Sequence, residues 1–407
     1  MPDRTEPPIE VQIGEVGRQL AESFQRLLDG TESRPSAPKD VARTYGMNAV
    51  FAQRLAAALK RTDPLATLQH IPGPEPLRRL IEAARKKGVP EPLLEQATAA
   101  NDAFQHIIRH VAGDRSGLDA IIAAWLPEAR ARIDNDAKQS AYRGMRQLKG
   151  IAANTVFFTC FIHPGGPGQP RHDQLILRGH MGLRCVRPGA PLTLSIRTGS
   201  TRPTPVESIE GVSVRENPRS ILIDEFCCGL PLELSCHEIG DAAVYTFDWG
   251  DAVGISSARD IVLGELTRAF FRPSCPPDSP RPRSGVTHGI SVPTALYFFD
   301  MILHKDVFPG RDPKMRVLEL GESGAADPND ESREFEGLDV ADKVDAMGLG
   351  FQRLRTQDIP NYVDLLEHVC GKMRWNPAEM RCYRTRIEYP IFGSQVRMAF
   401  DLPLETS

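Results

Sequence analysis

The side chains able to bind a metal or act as acid, base or nucleophile lie scattered through this 407-residue sequence. His163, His172 and His180 precede Cys227-Cys228 and Cys236-His237, yet no pair has the CxxC or HxxxH spacing that sets two ligands side by side. Adjacent residues on a strand point to opposite faces, so Cys236 and His237 would not chelate together, and buried thiols are the expectation. Asp327, Asn329 and Glu331 alternate as in a calcium loop, but the turn glycine of such loops is missing, which leaves a solvated loop. Gly165, Gly166 and Gly168 follow a β-run with no helix behind them and so lack the helix N-terminus that phosphate cradles use. Asp248, Trp249 and Asp251 form an acidic-aromatic corner of a kind common at strand ends. With no nucleophile elbow, phosphate loop or dinucleotide fingerprint, no catalytic residue, cofactor or metal is expected.

Residues 38–61, PKDVARTYGMNAVFAQRLAAALKR, hold amide and guanidinium donors at helical spacing. Val41 and Ala42 stand one turn before Gly46, which can take the positive φ of a sharp turn, and Asn48 is placed to cap a second helix. Phe51, Leu55 and the Ala58/Leu59 pair make its apolar stripe. The segment resembles the helix-turn-helix of bacterial transcriptional regulators, in which the second helix enters the major groove of DNA. The resemblance implies double-stranded DNA as partner and places Arg43, Asn48, Val50, Gln53, Arg54, Lys60 and Arg61 at the contact. Gln53 suits adenine, Arg54 guanine and Val50 a thymine methyl, while Arg43, Lys60 and Arg61 suit phosphates, with Arg34 and Lys39 nearby. Asp40 and Asp63 offset some of this charge. Ala52 stands where the family usually has a β-branched residue, and the outer face is poor in base readers.

At this length two or three domains are expected. The residues are 41% hydrophobic and 25% charged, a globular balance, and no run reaches the roughly 20 apolar residues of a bilayer span. The polar, Pro-rich start is no secretory signal, so a cytoplasmic, membrane-free protein is expected. Its eight cysteines lack the spacing of a disulfide framework and read as reduced thiols. A formal net charge of −4 excludes a chain coated in basic charge but allows a local basic patch. Arg78, Arg79, Arg85, Lys86 and Lys87 form a second basic cluster, read as a solvated helix face.

The positioning elements follow an α+β plan, a helical N-terminal half and then a large, mainly antiparallel β-rich half. Residues 1–70 make the helix-turn-helix domain, with a helix over 17–28 as third member of a trihelical unit. Residues 71–150 make a helical connecting or dimerisation region. Within it helices are expected from Pro76 to Lys87, over 92–111, and over 116–149 with a Ser116–Asp119 capping box and a kink at Pro127. From residue 155 the period changes to 2, giving a β-rich domain over 151–407 whose strand signals include 220–227 and 232–249. Two related modules, 151–275 and 286–407, are suggested by VRPGAPLTLSIR and VFPGRDPKMRVLEL. Gly393-Ser394 reads as a hairpin turn pairing residues 395–402 with the strand through Tyr383 and Ile387, leaving Arg384, Arg386 and Arg397 on a solvated face. This half would sense a small-molecule effector or bind a protein partner, and the amphipathic helices suit a homodimer. Two competing expectations are a non-catalytic scaffold, whose helix-turn-helix only packs, and an enzyme with its site in the β half around His172, His180, Cys236 and His237.

Overall fold

The computed structural model describes residues 8–31, 35, 37–190, 192–197, 206–214, 216–229, 233–239, 242–248, 252–319, 326–340 and 342–405. Arg34, Trp249 and Asp251 lie outside them. The protein is α+β, and the chain divides into two compact units, Met1–Asp134 and Asn135–Ser407.

The first unit is helical: α1 Ile9–Asp29, α2 Pro38–Tyr45, α3 Ala49–Leu59, α4 Pro64–His70, α5 Pro74–Lys86, α6 Glu91–His106 and α7 Arg115–Ala123. A π turn, Ile107–Val111, prolongs α6. Ile13, Val16, Leu20, Phe24 and Leu27 form one buried stripe along α1, the three-to-four spacing that turns a single helix face inward. That stripe packs chiefly on α4 and α6, meets α3 as well, and shares one core with Val41 of α2 and Leu55 of α3. The α2–α3 corner is one side of a bundle in which α2 packs on α3 and α5, and α3 on α4.

Helix α5 opens at Pro74 and carries Pro76 in its first turn, where a proline lacks only an N–H that would have no partner. A later helix differs from expectation. The expected 116–149 helix is two: α7, and α8 Pro127–Lys149, within which the division between the units falls. Asp114, not Ser116, caps α7, its Oδ1 accepting from Gly117 N at 2.7 Å, and Pro127 opens a new helix instead of kinking one.

The second unit holds β1 Ile151–His163, β2 His172–Cys185, β3 Leu192–Arg197, β4 Val206–Glu207, β5 Glu233–Ile239, β6 Ala242–Asp248, β7 Arg259–Phe271, β8 Arg283–Gly289, β9 Thr294–His304, β10 Lys314–Leu318, β11 Asp345–Leu349, the helix α9 Tyr362–Met373, β12 Met380–Glu388 and β13 Gln395–Asp401. A seven-stranded sheet runs β11-β12-β9-β1-β2-β7-β4, antiparallel throughout except for the central β1/β9 pair. Strands from both sides of residues 273–285 thus share one sheet. Alternation along β1 sends Phe157 and Phe161 into a core with Leu366 and Val369 of α9, and Phe158 and Cys160 into a core with Val396, Met398 and Phe400 of β13. β13 is the middle strand of a second sheet, β10-β13-β8, and β3-β6-β5 forms a third.

The expected terminal hairpin is absent. Both edges of β12 are taken by β9 and β11, so β13 pairs with β8 and β10. Tyr389 and Gly393, at φ 48° and 82°, turn the chain between the sheets. Residues 220–227 form no strand but two 3-10 turns, Pro218–Ile221 and Asp224–Phe226, with a single bridge from Leu222 to Leu263. The 232–249 run splits into the β5/β6 pair.

A row of polar side chains ties α9 to the sheet. Thr159, Asp300 and Arg384 are register partners across β1, β9 and β12. Arg384 grips Asp300 with Nε and Nη2 at 2.8 and 2.6 Å, and Tyr362 of α9 donates to Asp300 Oδ2 at 2.6 Å. The charge of Asp300 and burial together raise the Tyr362 pKa well above the usual phenol value, burial being the larger cause.

Candidate nucleic-acid interface

Local sequence builds the α2–α3 corner. Pro38 opens α2, whose Val41 and Tyr45 turn inward, and Gly46 at φ 65° ends it with its N–H on Ala42 O. Asn48 has extended backbone and its Oδ1 accepts from Phe51 N at 2.7 Å, so its side chain is spent on the cap. Phe51, Ala52, Leu55 and Ala58 are buried, which fixes the rotation of α3 and leaves Ala49, Val50, Gln53, Arg54 and Ala57 exposed, with Lys60 and Arg61 exposed just beyond its end.

The cations of this corner differ from those of α5. Arg78 and Arg79 share Glu75 at 2.8 and 3.6 Å, and Arg85 holds Glu91 at 3.1 Å. Arg43 pairs with Asp40 at 3.0 Å, but among the described residues no carboxylate forms an ion pair with Arg54, Lys60 or Arg61. Gln53, Arg54 and Ala57 border an open hollow of about 400 Å³, closed on its far side by Gln69 and His70 at the end of α4. Behind it Arg115 of α7 donates from Nη2 to Leu68 O and Gln69 O at 2.8 and 3.0 Å, while Nε faces Asp119 at 3.2 Å. Burial pushes the Arg115 pKa down, Asp119 offsets part of this, and the charge of Arg54 adds to the lowering. Gln69, His70 and Arg115 carry no local signal in the sequence: residues 70–76 read only as a break, and Arg115 acts on carbonyls 46 and 47 residues away.

In the β unit His172 and His180, singled out for a potential enzyme site, are not brought together. His172, at the start of β2, lies at one end of the large sheet with His163 and His304, whose rings are 4.8 Å apart, and His163 stacks on Trp375 at 4.5 Å. Burial lowers the pKa of both His163 and His172, and neighbouring imidazoles lower them further. His180 lies inside, between the large sheet and β8, and its Nδ1 has no partner among the described residues. Near it His288 Nδ1 meets Tyr297 OH at 2.9 Å, and Arg178 pairs with Glu265. Burial lowers the His180 pKa to about 4, with the Arg178 charge adding to it. Cys236 and His237 belong to the separate β5 strand. Among the described residues no group of three or more His, Cys, Asp or Glu is arranged to hold a metal ion. Burial raises the thiols of Cys160 and Cys370 to about 12.

Other expected surfaces are internal. Arg384 is buried on Asp300, and Arg397 is buried with Nη2 on Glu334 at 2.5 Å; of the three arginines assigned to a solvated face only Arg386 is exposed, paired with Glu388 at 2.7 Å. The acidic loop stays at the surface: Asp327 pairs with Arg281 at 2.6 Å and accepts from Asn329 N at 2.9 Å in an Asx turn, and Glu331 is exposed. Residues 164–171, with the glycine run, join antiparallel β1 and β2 and lead into no helix. No helix among the described residues is long and apolar enough to cross a membrane.

No protein-family model matches the chain, and no curated protein is similar to it.

Proposed function

We propose that the chain is a DNA-binding transcriptional regulator that reads duplex DNA with α3, its β-rich unit sensing a ligand or partner. The observation that carries this is that Arg54, Lys60 and Arg61 have no ion-pair partner among the described residues, beside exposed Gln53 on a helix whose opposite face is buried, while the arginines of α5 are neutralised. Unpaired guanidinium and ammonium groups are free to replace counterions on phosphates, and Gln53 and Arg54 have the donor patterns for base edges. Selection of genomic fragments by the full chain tests it. Arg54→Ala should cost about 1 to 3 kcal/mol at a selected site, and Lys60→Ala should weaken all sites alike and flatten the salt dependence. Absence of duplex binding at low salt would overturn the reading.

A second reading rests on Val50, which is 67% exposed between Ala49 and the buried Phe51. An apolar, alanine-rich face also suits helix docking by a protein partner or a second copy of the chain. Val50→Ser separates the two, since it should abolish self-association or partner capture while costing duplex binding no more than one thymine-methyl contact.

A further inference from the structure

We propose that the hollow between α3 and α4 is a binding site for a phosphoryl anion, supplied by a small phosphate ester or by the backbone of a duplex. Its lining is built for an anion. Arg54 borders it with a guanidinium that no carboxylate pairs with among the described residues, and guanidinium offers N–H donors and no acceptor. Gln69 lines the other side, is 8% exposed, and carries a buried Nε2 with no partner among the described residues. A turn of this side chain toward the hollow would give the amide N–H a phosphoryl oxygen as the acceptor it lacks. Arg115 completes the field. It takes the carbonyls of Leu68 and Gln69, so the negative end of α4 is already neutralised, and its own Nη1 is buried without a partner among the described residues. Among the described residues the one carboxylate paired with this group is Asp119, on Nε of Arg115. At about 400 Å³ the hollow has room for a phosphate and part of the group that bears it.

Occupancy by a small phosphate ester would engage Arg54 and lie against Gln53, the two residues assigned to base contact. On the DNA reading, the free anion and the duplex therefore compete for one surface, which makes the site a regulatory one. That consequence rests on the reading above; the anion site itself does not.

The test has two arms on the full chain. In the first, inorganic phosphate and pyrophosphate are titrated without DNA against sodium chloride of equal ionic strength, following melting temperature and calorimetric heat. Gln69→Leu, which keeps the volume in a buried place, and Arg54→Met, at an exposed one, should each weaken anion binding about tenfold, the value of one charge-assisted hydrogen bond. In the second arm duplex affinity is measured against salt for the same variants. Saturable phosphate binding lost in both variants supports the site with a free anion as its source, and stands even if the protein binds no DNA. No phosphate binding, but a salt slope reduced by about one in Arg54→Met and weaker duplex binding in Gln69→Leu, supports the site with the duplex as source. Phosphate that binds all three proteins alike, or variants silent in both arms, overturns it.

Discussion

A histidine enclosed between two sheets beside a guanidinium folds in its neutral form. His180 is 4% exposed, its pKa is lowered to about 4 by burial and then by Arg178, and His288, stacked on Phe158 at 4.4 Å, is lowered well below the usual value by the same causes. The unfolded chain takes up a proton on His180 near its ordinary value of about 6.5, while the native protein does so only near 4, so the unfolded state binds more protons between the two. Stability from this residue is full above that upper value and drains away as pH falls toward 4, by an amount on the order of 3 kcal/mol. Urea unfolding of the full chain, followed by strand circular dichroism at stepped pH, should show this slope. His180→Gln should flatten it in part, the remainder belonging to His288, His163 and His172; an unchanged slope would show that His180 is not enclosed in solution.

At the scale of elements, the α2–α3 corner depends on two residues with separate duties. Gly46 sits at φ 65° with no atom within 4 Å of where a Cβ would stand, so Gly46→Ala costs backbone conformation only, about 1 kcal/mol. Asn48→Ala removes the cap on Phe51 N for about the same amount. Each change should lower the urea midpoint of the helical signal by a matching step, and a neutral Gly46→Ala would mean the left-handed turn is not populated. This corner was legible in the sequence because everything that makes it lies within a few residues: the turn glycine, the cap, the apolar stripe. The partner of β13 was not, since alternation tells which side of a strand is apolar and says nothing about which strand lies alongside. Arg384 and Arg397 read as surface residues for a related reason. Their carboxylates, Asp300 and Glu334, are 84 and 63 residues away, and burial of an arginine depends on a pair the local pattern does not contain. The hollow was hidden in the same way, with Gln69 and Arg115 46 residues apart.

For the whole molecule, the change from helix to strand at Gly150 and the division of the units at Asp134 and Asn135 are different boundaries. The stretch of α8 after that division is fastened to the β unit: Lys138 Nζ holds Asp342 at 2.6 Å, Gln139 donates to Tyr389 OH at 3.1 Å, and the Tyr142 ring lies 5.5 Å from that of Tyr389. A fragment of residues 127–407 should therefore unfold in one cooperative transition, and a fragment of 151–407 should melt roughly 5 °C or more below it. Equal melting temperatures would show that α8 adds nothing to that unit. The placing of β13 between β8 and β10 also matters during synthesis. Both neighbours leave the ribosome first, and at about 5 to 20 residues per second the wait between β10 and β13 lasts on the order of ten seconds. Until then Val286 and Val317, and the face of the large sheet carrying Phe158 and Phe299, have no strand to cover them. That interval is when the nascent chain is most exposed to aggregation and to chaperone capture, and a premature stop anywhere before residue 395 would make the exposure permanent.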